Sequence, residues 1–339
     1  MDYPEIMENP EQVVQVATAG EALIDLIVQS DGRYEPCPGG AVFNLSRALA
    51  RQGVNTLYLN PLSRDRFGRR LAAALIADGV RLACPQPVAQ STSLAVVGLD
   101  DAGHPDYVFY RQDVADRAVT ADSLIQSCHR VPALEMVYTG ALALAPGDAG
   151  RYLPWLRAQH QAGSVVVVDA NLRPSVMPDL QAYRRNVHAA LQQADVVKVS
   201  DEDLENLEIP GADVFARAQH LLQASGAGLL VLTLGRQGAC LLTRDGRQWR
   251  AREPRPLAVM DTVGAGDCFL AGFMAALLAR KSGVTGTGAL LALSDDAAGH
   301  NLLVRAVASA SLCVMRRGCV PPTGAEVQAR VEQAPCVVD

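Results

Sequence analysis

From Val13 into the C-terminal third, short β-branched runs alternate with helix-period patterns, and this constrains the fold more than any single residue does. The series begins QVATAGEALIDLIV, GAVFNLSRALARQG, NTLYLNPLS and DRFGRRLAAALIADG. It resumes with EMVYTGALAL, the helix RYLPWLRAQHQAG, the strand SVVVVDANLRP, the helix AYRRNVHAALQQA, the strand DVVKVSDED and the run GLLVLTLGRQGACLLTRDG. Parallel strands need crossover connections, usually helical, so the pattern predicts an α/β fold: a doubly wound, mostly parallel sheet flanked by helices. Two stretches break the rhythm. IDLIVQSDGRYEPCPGG and TSLAVVGLDDAGHPDYVFYRQDVADRAV read as hairpins with DG or DDAG turns, which predicts a small inserted β-sheet at about 24–40 and 92–119 of a single domain over 13–330. With one apolar face and nothing to cover it, such a sheet would be a lid on the main domain or a surface for a second copy, so a homodimer through the lid is expected.

Composition removes several function classes. The 339 residues are 49% apolar, enough for a sizeable core, and the formal charge is −6 with a pI near 5.6. No Lys/Arg run carries interleaved aromatics of the kind that tracks a phosphate backbone, so nucleic acid is not an expected partner. The start, MDYPEIMENPEQVVQV, is acidic and lacks an apolar signal core, and no later stretch offers about 18 uninterrupted apolar residues; the expectation is a cytoplasmic protein that does not contact a membrane. Cys37, Cys84, Cys128, Cys240, Cys268, Cys313, Cys319 and Cys336 stand singly, without a C-x-x-C pair, and read as buried free thiols rather than a zinc site or disulfides.

The stretch DTVGAGDCFLAGFMAALLAR carries the strongest chemical signal. Gly264, Ala265 and Gly266 can bring backbone N–H groups together at the mouth of the helix FLAGFMAALLAR, where unpaired donors and the positive dipole end suit a phosphoryl group. Asp267 would then lie beside the transferring group, placed to take a proton from an attacking hydroxyl. Taken alone, G-x-G-D describes a helix cap after a tight turn better than a catalytic site, and it is the longer context that reverses this. GVTGTGALL is not a dinucleotide fingerprint, since it lacks a third glycine and follows a helix, and no G-x-x-x-x-G-K-[ST] is present.

The longer context resembles the ribokinase-like, or PfkB-type, carbohydrate kinases, most closely their fructokinase members. The resemblance rests on D-T-x-G-A-G-D followed by x-F-x-A-G, from Asp261 through Gly272, and on PGGAVFNLSRALARQG upstream, in the family's order; it extends from Val16 to Pro322. It implies that Asp267 is the catalytic base and that Gly264, Ala265 and Gly266 form an anion hole. It also implies that Gly39, Gly40 and Asn44 approach sugar hydroxyls, and that Asp25, in GEALID, binds them at the root of the lid. Tyr110 and Arg111, on a lid strand, are further substrate candidates. DANLRP, at the carboxyl end of a strand, offers Asp169 and Arg173, the latter able to steady a phosphate or sugar oxygen.

On the nucleotide side, VVKVSDEDLENL aligns with the family's N-x-x-E motif but departs from it. Ser200 stands where asparagine is usual and Asp203 where glutamate is usual, so a carboxylate remains for Mg²⁺, through water, on a shorter arm. Lys198 can add charge there. TLGRQGA, with Thr233, Gly235 and Gly238, resembles the family's nucleotide loop, and Asn301 is a candidate on the adenine side. Relatives bind a monovalent cation behind the anion hole, and Asp261 and Val263 are the matching positions, so K⁺ is an expected activator. The implied reaction is ATP- and Mg²⁺-dependent phosphorylation of a primary hydroxyl of a small sugar, with fructose ahead of 2-keto-3-deoxygluconate and ribose. A non-catalytic sugar sensor is the competing class; a nicotinamide dehydrogenase lacks its G-x-G-x-x-G.

Overall fold

The computed structural model describes residues 13–29, 31–99, 105–280, 291–293, 295–333 and 336–338. The elements run β1 (Val16–Thr18), β2 (Leu23–Val28), β3 (Tyr34–Gly39), α1 (Ala41–Arg51), β4 (Thr56–Tyr58), α2 (Arg66–Ala77), β5 (Arg81–Leu82), β6 (Ser93–Leu99), β7 (Pro105–Tyr110), α3 (Ala121–His129) and β8 (Met136–Gly140). They continue α4 (Ala149–Gln161), β9 (Val165–Asp169), α5 (Leu180–Leu191), β10 (Val196–Ser200), α6 (Asp201–Asn206), α7 (Val214–Ala224), β11 (Leu229–Thr233), β12 (Ala239–Thr243), β13 (Gln248–Arg252), α8 (Ala265–Ala279), α9 (Asp296–Val314), α10 (Gly324–Gln333) and β14 (Val337–Val338).

The large sheet has the order β14-β13-β12-β11-β10-β9-β8-β1-β4-β5. From β5 to β11 every neighbouring pair is parallel; β12, β13 and β14 close that edge with antiparallel pairs. Covered on both faces, the central strands are continuous apolar runs, as parallel strands must be. In β9 all five residues are buried. Their alternation sorts them into two layers: Val165 and Val167 join the core under α1, α2, α8 and α9, while Val166 and Val168 join the core under α4, α5 and α7. The resulting three-layer α/β architecture is the doubly wound fold that the alternation predicts.

The two hairpins form the separate small sheet, order β3-β2-β6-β7. β2 pairs antiparallel with β3, β6 antiparallel with β7, and the hairpins join through parallel β2 and β6. The DDAG turn lies outside the described residues, as does GVTGTGAL at 283–290.

α8 is apolar on every face and nearly all buried, the mark of a central helix. α9 packs along it and onto β13. By length and composition α9 could cross a membrane, which the count of uninterrupted apolar residues does not register; half of it is buried inside the protein, as in a core helix. The eight cysteines are all free.

Candidate active site

The carboxyl ends of β8, β9, β10 and β11 put Gly140, Asp169, Ser200 and Thr233 along one rim of the large sheet, where open α/β sheets bind ligands. The amino end of α8 points into the same region. Gly264 is its N-cap and sits in the left-handed region at φ 75°, which a glycine adopts without strain; a Cβ there would also collide with the Cys319 thiol. Of the three expected anion-hole amides, that of Ala265 is engaged, donating to Thr262 O at 3.2 Å in the turn before the helix. This removes Ala265 from the donor set. The amides of Gly264 and Gly266 have no protein acceptor among the described residues.

Asp267, in the first turn of α8, is 7% exposed, and its Oδ2 accepts a hydrogen bond from Asn44 Nδ2 at 2.9 Å. Burial pushes its carboxyl up to about 7; the Asn44 hydrogen bond opposes this, the Asp169 carboxylate adds to it, and Lys198 and Arg173 oppose it. A carboxylate so held is a proton acceptor matched to neutral pH. Asn44 belongs to α1, so the two signature motifs meet across the α1–α8 contact. Its Oδ1 is buried without a protein partner.

Around this pair the acceptor side is tightly built. Lys198 Nζ lies 3.0 Å from Asp169 Oδ1, both buried, and would stand 3.5 Å from a Cβ at Gly266. Lys198 is therefore a buried cation beside the amino end of α8. Burial raises the Asp169 carboxyl to about 6 although Lys198 opposes it. Asp25 likewise rises to about 6 through burial, with Arg173 opposing. A Cβ on Gly39 would occupy the place of the Asp25 carboxylate and force it to move. Gly40, at φ 104°, abuts the backbone of Glu21. Glu21, which the motifs do not single out, caps α1 by accepting from Ala41 N at 3.0 Å and leaves Oε2 buried without a partner; burial takes its carboxyl to about 7.

Several expected roles move. Arg111 is held by protein partners. Its Nη2 lies 3.0 Å from Asp116 Oδ2 and its Nη1 donates to Leu142 O at 3.2 Å, because the chain turns back into the core directly after β7. Tyr110, one residue earlier, is 60% exposed. The Arg173 guanidinium folds back on its own loop, donating to Leu172 O at 2.9 Å, while remaining near enough to the site to act on the Asp25 and Asp267 carboxyls.

The nucleotide-side expectations divide in the same way. A cleft of about 740 Å³ opens beside Gly266 and is lined by Ser200, Thr233, Gly235 and Gly238, together with Phe269 and the α9 residues Val307, Ala310 and Ser311. Asp203 is not on its wall. It is 3% exposed, with Oδ1 accepting from Leu172 N and Oδ2 from Ser200 N in a capping box with Ser200, so the shorter arm ends on backbone amides. The carboxylates on the cleft wall are Asp201, Glu202 and Glu253, which the motif alignment does not point to. Asn301 is exposed and also off the wall: six residues before Val307, it lies about 9 Å back along α9. Asp261 ties its loop together, Oδ1 accepting from Val263 N at 3.0 Å and Oδ2 from Gly318 N at 2.9 Å.

A buried base, free amides at a helix mouth and a neighbouring cleft are the parts a phosphoryl-transfer site needs. Comparison with known proteins agrees: the pfkB family carbohydrate kinases match residues 14–325. The chain belongs to the pfkB family of carbohydrate kinases. It is an α/β phosphotransferase acting on a sugar hydroxyl. A fructokinase of Rhizobium leguminosarum bv. trifolii is 33% identical over 266 residues, 77% of this chain and 79% of that one. Among solved structures, a fructokinase from Xylella fastidiosa with bound ATP aligns at a TM-score of 0.79 and 27% identity, over 94% of this chain and 98% of that one. A fructokinase from Vibrio cholerae O395, bound to fructose, ADP and calcium, aligns at 0.75 and 26%, over the same shares.

Proposed function

We propose that this pfkB kinase transfers the γ-phosphoryl group of ATP to the primary 6-hydroxyl of fructose, giving fructose 6-phosphate. The observation that carries the reading is the Asn44–Asp267 pair at 2.9 Å at the mouth of α8, with the Gly264 and Gly266 amides beside it. Asp267 accepts the hydroxyl proton as its oxygen attacks, and the two amides hold the transferring group. Asn44 Oδ1 and Glu21 Oε2, buried acceptors without protein partners, suit sugar hydroxyls. The nucleotide occupies the cleft between α9 and the Thr233–Gly238 loop.

Mg²⁺ fits the all-oxygen donor set of the cleft, with Asp201 and Glu202 the carboxylates to reach it through water; bound, it neutralises phosphate charge. K⁺ would be held by backbone oxygens of Asp261 and Val263, and replacing it with a large organic cation then slows turnover. The small sheet acts as the lid and, through exposed Tyr34 and Val108, as a dimer surface in a cytoplasmic enzyme.

A neutral sugar is favoured over 2-keto-3-deoxygluconate because Arg111, the lid-side cation that could serve a sugar carboxylate, is already paired with Asp116. ATP consumption measured with fructose, 2-keto-3-deoxygluconate, ribose and nucleosides, beside Asp267→Asn, tests the reading. Fructose should give the highest kcat/KM, abolished in the variant; a higher value for the keto acid overturns the substrate, and no turnover with any sugar supports a sensor.

A further inference from the structure

Three of the eight single cysteines meet at one point. Cys268 follows the catalytic Asp267 on α8, Cys313 is in the last turn of α9, and Cys319 lies in the loop beyond it; their sulfurs are all within 4.8 Å of one another. Cys268 and Cys313 are buried and Cys319 is half-buried. The trio forms directly behind the anion hole. Cys319 Sγ occupies the space that a Cβ on Gly264 would need, and the Cys313 thiol faces Val263 O at 3.7 Å.

We propose that Cys268, Cys313 and Cys319 form a three-thiolate site for a soft, monovalent d¹⁰ metal ion of the Cu⁺ class, and that its occupancy slows phosphoryl transfer. Sulfurs arranged around an ion at about 2.3 Å stand roughly 4 Å apart, so the trio, already within 4.8 Å, needs to contract by at most about 0.8 Å. Thiolate-only donor sets select soft metals. Closed Zn²⁺ sites take four ligands, and no histidine or carboxylate joins this trio among the described residues, so a three-coordinate ion suits it better.

On binding, sulfur–metal bonds form, the thiol protons leave to solvent, and no electrons are exchanged. Loss of the Cys313 proton releases Val263 O from its hydrogen bond, and movement of Cys319 Sγ changes the packing behind Gly264, which together displace the backbone amides that face the phosphoryl group.

The test is an anaerobic titration of the purified full chain with Cu⁺ against a competing chelator, read beside kinase turnover. One ion per chain is expected. Cys313→Ala and Cys319→Ser should each weaken it by about tenfold or more. Loading should lower kcat by about a hundredfold in the native chain, the scale of losing one anion-hole donor, and far less in either variant.

Cu⁺ binding no tighter in the native chain than in the variants overturns the site, as does preferential uptake of Zn²⁺. A chain two hydrogens lighter that has lost two titratable thiols and retains no metal would show a disulfide instead. Stoichiometric binding that leaves turnover unchanged overturns the control of catalysis alone. Only that arm rests on the phosphotransfer reading, since the stoichiometry is measured without sugar or ATP.

Discussion

The two walls of the active site are built on opposite principles. On the proposed acceptor side burial raises the carboxyls of Asp25, Asp169 and Asp267 to about 6, 6 and 7, with Asp169 held by Lys198 and Asp267 by Asn44. The proposed nucleotide side is an open cleft of about 740 Å³ walled by glycines, a threonine and small residues of α9. Geometry must be fixed to a fraction of an ångström where bonds are exchanged, whereas a planar base and a flexible polyphosphate need mainly shape and a few donors. Substitutions should therefore be severe on the first wall and mild on the second.

The largest expected effect is that of Asp267→Asn. Losing a positioned general base reduces kcat by about 10²–10⁴-fold. Because the amide keeps the size of the carboxylate, KM for both substrates should change little. A variant retaining more than a tenth of native kcat would mean that Asp267 only caps the helix and that the two walls do not differ in kind.

Lys198→Met comes next. It leaves the Asp169 carboxylate, 0% exposed, without its cation, and removing one partner of a buried pair costs about 3–5 kcal/mol. Denaturant unfolding should show the loss. Asp169→Asn with Lys198→Met should recover part of it, since no unpaired charge then remains. A single variant as stable as the native chain would mean that solvent reaches Asp169.

The pH dependence sharpens the comparison further. Asp267 must be ionised to accept a proton, and its carboxyl lies at about 7, so kcat/KM should fall about tenfold per pH unit below that value and level off above it. The Asn44 hydrogen bond holds the carboxyl down, so Asn44→Ala should move this limb to higher pH. Stability has the opposite slope. From the ordinary aspartate value of 3.8 up to about 7 the folded state keeps a proton that the unfolded chain has released, so this group's contribution falls as pH rises, and Asp267→Asn should abolish that component. A limb unmoved by Asn44→Ala would assign it to another group.

What the sequence reveals divides along the same line. The β-branched run SVVVV reads as a strand, and the two hairpins announce a second sheet, because composition and turn chemistry are local. The placement of Asp267 beside Gly264 and Gly266 is local too, being fixed by one helix start. Contacts between distant elements are not written in any one motif. Nothing in VVKVSDED shows that the Asp203 carboxylate turns to the Leu172 amide, or in FYRQD that Arg111 turns inward to Asp116. The meeting of Cys268, Cys313 and Cys319 likewise depends on α9 packing against α8.

The smallest effect is expected on the nucleotide wall. Thr233 ends β11, lines the cleft, and its hydroxyl is only weakly engaged, donating to Val199 O at 3.4 Å. Thr233→Val retains the branched shape at the strand end and removes one donor from a wall open to water. A typical hydrogen bond contributes about 0.5–1.5 kcal/mol net, so KM for ATP should rise by about two- to tenfold with kcat unchanged. A loss confined to KM is the signature of uniform binding. If kcat fell in parallel instead, the Thr233 hydroxyl would be acting on the phosphates in the transition state, and the contrast between a rigid reacting wall and a tolerant binding wall would fail at the point where the two join.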